Sequence, residues 1–147
     1  MPTDVIDMMV ARTGMPVVDE HGLDRLLASR ADAPEHALLF FTGDPEQRME
    51  TADVAVVLPE LIRHFAGKLH GVVIAREAEA SLKERFGVMV MPSLVMMRRD
   101  QPLGVLPKVR DWAEYIEKIT AWLPFDDSAE SPRPRVRPRI VPREVAQ

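Results

Sequence analysis

Residues 44–60 read DPEQRMETADVAVVLPE and hold five acids, Asp44, Glu46, Glu50, Asp53 and Glu60, against Arg48 alone. Carboxylates grouped on a loop and the helix after it offer bidentate acceptors for guanidinium groups, so the stretch is a candidate site for a basic peptide. Acids in a first helical turn also complement the helix dipole, at about 0.3–1 kcal/mol each, and an ordinary solvated helix start reads the same way. A second group surrounds Pro92 in GVMVMPSLVMM, residues 87–97, where Met89, Met91, Met96 and Met97 flank the proline. Methionine fills irregular core gaps but also lines adaptable surfaces that accept apolar peptides. Alternation sends Met96 and Met97 to opposite faces of a strand, so at least one is expected in the core. Met49, Met89 and Met91 are the candidates for contact with an apolar segment.

Other chemistry finds less support. The 147 residues include no cysteine, which excludes disulfides, thiolate metal ligands and thiol redox chemistry. His64 and His70 fall on different elements and have no evident third ligand, and His21 and His36 are no better placed, so no metal site and no cofactor are expected. Thr51 and Ser93 are the hydroxyls closest to the two groups, but nothing in the sequence positions a base beside either one, and no enzyme activity is expected.

Composition sets the outer limits. Apolar residues make up 46% and charged residues 29%, a usual globular balance for one domain. The net charge of −4 gives no overall footprint for nucleic acid. No apolar run approaches the roughly 18 residues of a membrane span, and the N-terminus MPTDVIDMMVARTG lacks the basic start and apolar core of a signal peptide. A cytoplasmic location without membrane insertion is the expectation. From Pro124 onward five prolines and five arginines stand against four acids, without helical or strand period. That tail, 124–147, reads as a mobile solvated segment. It contributes +1 to the total, which leaves the body acidic at −5.

Within residues 15–123, behind an N-terminal arm 1–14, the elements alternate. Met15 to Val18 is a short strand candidate, and Leu23, Leu26 and Leu27 place a helix over about 19–29. His36 to Gly43 is a nearly continuous apolar run, as in a strand covered on both faces. Val54, Val57, Leu58, Leu61, Ile62 and Phe65 form one broad face of a helix over 51–66, which Pro59 should kink. A strand over 70–76 and a short helix ending at Gly87 follow. Pro92 cannot donate within a ladder, so the next strand is expected to begin there and run to Met97. A turn at 98–101 leads to a strand over 103–109. The last helix has Asp111 and Glu114 as a capping-box pair, with Trp112, Tyr115, Ile116, Ile119, Trp122 and Leu123 on one face. The order βαβαβαββα predicts an α/β sandwich, a central mixed sheet with helices on both faces.

This order, the Phe40–Phe41 pair closing the central strand, Pro59 within the second helix and FGVMVMPSLVMM together resemble the thioredoxin fold. The resemblance implies a cis bond at Met91–Pro92. It also implies that the backbone before Pro92 is accessible for pairing with an extended peptide. Counting back from Pro59, the redox cysteines of that family would fall at Thr51 and Val54, and its buried acid at Phe40. Site and support are lost together, so the resemblance is to a redox-inert member. The glycine that the family carries after its last strand is also missing, with Pro107 and Lys108 nearby.

The segments GMPVVDEHGLDRLLA and LLFFTGDPEQRMETADVAVVLPEL, FGVMVMPSLV and the tryptophan-bearing last helix resemble the HyaE/HupG group of hydrogenase expression/formation proteins. That resemblance implies a maturation factor for an uptake nickel–iron hydrogenase. It would act as a chaperone on the small-subunit precursor and its twin-arginine signal peptide, with other maturation proteins as further partners. The residues implied in contact are Asp44, Glu46, Met49, Glu50, Thr51, Asp53, Met89, Met91 and Pro92. The alternative is a non-catalytic adaptor in a maturation complex that uses the arginine-rich tail.

Overall fold

The computed structural model describes residues 5–28, 35–44 and 49–123. Glu46, Arg48 and the tail 124–147 lie outside the described residues. The elements are α1 (Val5–Thr13), β1 (Val17–Val18), α2 (Glu20–Ala28), β2 (His36–Phe41), α3 (Glu50–His64), β3 (Leu69–Ile74), α4 (Glu79–Phe86), β4 (Ser93–Arg98), β5 (Gln101–Pro107) and α5 (Trp112–Trp122). The expected order holds, preceded by one further helix. α1 occupies the segment read as an arm. Ile6 and Met9, one turn apart, are buried against the core that α3 covers.

The five strands stand in the order β1-β3-β2-β4-β5. β1 and β2 run parallel to β3, while β4 is antiparallel to β2 and to β5. All six residues of β2 are buried because both faces of the sheet are covered. Leu38 and Phe40 enter the core beneath α1, α3 and α5, and Ala37, Leu39 and Phe41 enter the core beneath α2 and α4. The same alternation divides Met96 from Met97, and both are core residues. Each such side chain contributes about 1.5–3 kcal/mol by leaving water, so the sheet and the helices on its two faces hold one another in place and fix where the strand ends emerge.

Pro59 is buried inside α3, where it removes the amide that would bond the Ala55 carbonyl. Gly87 ends α4 in the left-handed region at φ 74°, as its position after the helix predicts. The Asp111–Glu114 capping box does not form. Asp111 is at the N-cap, but its side chain makes no capping hydrogen bond. The Glu114 carboxylate is turned instead toward Arg110, 3.8 Å from its Nε.

Candidate functional site

The C-terminal end of β2 gathers the pieces of the site. Phe41 pairs with Ser93 at the start of β4, and Ser93 pairs with Pro107 at the end of β5. Pro92 precedes that pairing, is buried, and follows a cis Met91–Pro92 bond. One residue beyond Phe41, the Thr42 carbonyl accepts the Thr51 hydroxyl at 2.6 Å. The start of α3 and the residues around Pro92 are thus bound to neighbouring positions of one strand end.

Glu79 is the residue that reasoning from sequence missed. It is 5% exposed, and its Oε2 accepts from the Thr42 amide at 2.8 Å, the Thr42 hydroxyl at 3.1 Å and the Gly43 amide at 3.2 Å. In sequence it is an acid in the first turn of a charged helix, indistinguishable from solvated neighbours. Its role exists only because β2 ends beside α4. By holding Thr42 and Gly43, it fixes the chain that leads into Asp44.

The proposed contact residues divide by exposure. Met49 is 87% and Met89 is 89% exposed, and Val90 beside Met89 is also exposed. Asp53 is exposed and Glu50 half-buried in the first turn of α3. Asp44 is half-buried with the Arg76 guanidinium 3.7 Å away, so the cluster carries a cation of its own. At this exposure such a pair is worth about 1 kcal/mol or less. Thr51 is fully buried and cannot touch a partner; its hydroxyl belongs to the loop root. Met91 is half-buried against the core under α2 and α4, and only part of it faces outward.

The two hydroxyls considered for chemistry are both committed to main-chain carbonyls. Thr51 donates to Thr42, and Ser93 donates to Val90 at 2.7 Å. The second is a local side-chain-to-backbone bond, and the first ties the start of α3 to the end of β2. Among the described residues, no three His, Asp or Glu side chains are grouped to hold a metal. His64 packs edge-on to Phe65 and Trp112, at 4.8 and 5.7 Å between ring centres.

Where the thioredoxin pattern has a glycine after the last strand, Lys108 has a φ of 60°. Its amide donates to the Pro92 carbonyl at 2.8 Å, so the turn required at that point survives without glycine. The buried Tyr115 closes the same corner, its hydroxyl accepting from the Arg110 amide at 3.0 Å. Burial pushes the Tyr115 phenol above its usual range; Arg110 opposes the shift, while the Glu114 and Glu50 carboxylates add to it.

No helix among the described residues is long and apolar enough to cross a membrane. Solved structures include the thioredoxin Deadhead of Drosophila melanogaster, which aligns with a TM-score of 0.59 over 74% of this chain and 98% of its own, at 17% identity, a likeness of fold alone. The hydrogenase expression/formation protein HupG of Rhodopseudomonas palustris aligns with a TM-score of 0.52 at 43% identity, over 72% of this chain and 92% of its own. HupG of Rhizobium leguminosarum bv. viciae, a hydrogenase expression/formation protein, is 52% identical over the whole of both chains. The family described as hydrogenase-1 expression protein HyaE matches residues 5–115. These relationships support a role in hydrogenase maturation on a thioredoxin-like fold. The chain belongs to the HyaE family of hydrogenase expression proteins.

Proposed function

We propose that the protein is a non-catalytic, cytoplasmic chaperone for the precursor of an uptake nickel–iron hydrogenase small subunit, recognising its twin-arginine signal peptide. The observation that carries this reading is the shared strand end. Asp44, Glu50, Asp53 and the exposed Met49 adjoin Thr42 and Thr51, which are bonded there, and Met89, Met91 and Pro92 precede Ser93, which pairs with Phe41. In this reading an extended segment lies alongside Met89 to Pro92. Its paired arginines meet the carboxylates of Asp44, Glu46, Glu50 and Asp53, and its apolar residues meet the methionines. Affinity is moderate, because the peptide must be ordered on binding and exposed ion pairs add little each.

Calorimetry with a synthetic signal peptide, with its arginine pair intact or changed to glutamine, tests the reading. The intact peptide should bind several-fold more tightly. Equal affinities would remove the acidic residues from recognition.

A further inference from the structure

Met49 at the N-cap of α3, and Ala52 and Val56 within it, recur at i, i+3 and i+7, the spacing that stacks side chains along one helix face. Val56 is 62% exposed. α1 lies beside this face and supplies Met8, 61% exposed. Met8 and Val56, together with Val5, Met9, Ala11, Arg12 and Ala55, line an open groove of about 580 Å³ between the two helices. Single apolar residues on a surface need no explanation, but here large ones from two helices, Met8 and Val56, share one concavity, and Met49 stands two turns before Val56 on the same helix face.

The ends of the groove differ in charge. At the start of α3 are Glu50 and Asp53. At the far end is Arg12, which also lines an adjoining cavity of about 470 Å³ beside Arg63 and His70. Arg63 is answered by Glu60 at 2.7 Å, whereas Arg12 makes no ion pair with the described residues. Acid, apolar and basic surface therefore follow one another from residue 49 to residue 63 of α3, over about 21 Å at 1.5 Å per residue. A complementary segment is basic, then apolar for that length, then neutral or acidic. The basic start and apolar stretch of 7–15 residues in an export signal have that polarity and, as a helix, about that length.

We infer that the groove between α1 and α3 seats the apolar stretch that follows the arginine pair, which runs down α3 from the acids toward Arg12. This rests on the peptide-binding reading above and extends its apolar contact beyond Met49. The test uses the full chain and three synthetic peptides: one with two adjacent arginines followed by about twelve apolar residues, one with the arginines changed to glutamine, and one with alternate apolar residues changed to serine. Met8→Glu and Val56→Glu should each weaken the first peptide about tenfold and leave the serine peptide within twofold of its wild-type affinity. Val56→Gln serves as the uncharged variant if Val56→Glu melts early. Wild-type affinity in the groove variants, with the arginine pair still required, would overturn the groove and leave the acidic site standing. Failure of the first peptide to bind the unaltered chain would overturn both.

Discussion

The Glu79 carboxylate accepts the Thr42 amide at 2.8 Å across 37 positions of chain, tying the first turn of α4 to the end of the central strand. The same oxygen also accepts the Thr42 hydroxyl and the Gly43 amide. Removing it strands buried donors, each costing about 1–3 kcal/mol. Glu79→Ala should therefore destabilise the protein by about 3 kcal/mol, and Glu79→Gln by less, because an amide oxygen still accepts. Urea denaturation measures both; an alanine variant within 0.5 kcal/mol of the parent, on the scale of ordinary surface changes, would show that the clamp carries no weight.

Lys108 holds a left-handed backbone at φ 60° and is exposed, so its side chain is not needed for packing. A residue with a Cβ pays about 1–2 kcal/mol in that region, partly offset by the larger unfolded-state entropy of glycine. Lys108→Gly should raise stability by about 0.5–1 kcal/mol, and Lys108→Val should lower it. Thermal melts of the pair give opposite shifts if the turn is strained as described.

Gly104 of β5 lies directly under Trp122 of α5, and a Cβ built there would stand 2.3 Å from Cζ2 of the indole. No rotation of a stiff ring flanked by core relieves that approach cheaply. Gly104→Ala should cost about 1–3 kcal/mol by overpacking. Most of that cost should vanish when Trp122→Ala is combined with it, a non-additivity that a double-mutant cycle reads directly.

Stability should be greatest between about pH 7 and pH 10. Burial lowers the pKa of His36, helped by Arg98 and Arg99 and opposed by Glu35, and burial alone lowers that of His70. A histidine lowered on folding binds its proton more readily when unfolded. Its contribution is present above the ordinary value of 6.5 and is lost as pH falls below it. Glu35 is lowered chiefly by its hydrogen bond to Arg98, at 2.6 Å, and adds a further loss below its ordinary value of 4.5. At the alkaline end the raised Tyr115 ionises more readily when unfolded, so stability falls above its ordinary 10.0. Urea midpoints across pH measure the profile. His36→Gln should flatten the step below pH 6.5, and an unchanged step would assign it elsewhere.

Much of the fold was legible because its signals are local. The apolar run of β2, the broad face of α3, Gly87 as a helix stop and the spacing in α5 each state their element within a dozen residues. α1 reads in the sequence as an arm although Ile6 and Met9 have helical spacing. A helix of nine residues owes its existence to packing against α3, which no local pattern reports. The site divides the same way. Acids and methionines are visible by type. That Thr51 is sealed, that Met91 is half core and that Glu79 is buried all depend on where distant strands end.

Thr51 and Val54, the positions where the thioredoxin pattern has its reactive pair, are both closed to solvent. Cysteines returned to these two places would therefore be sulfur without a doorway, beyond the reach of any outside disulfide. The two side chains at that corner are masonry, turned into the wall that the strand end and the helix build between them.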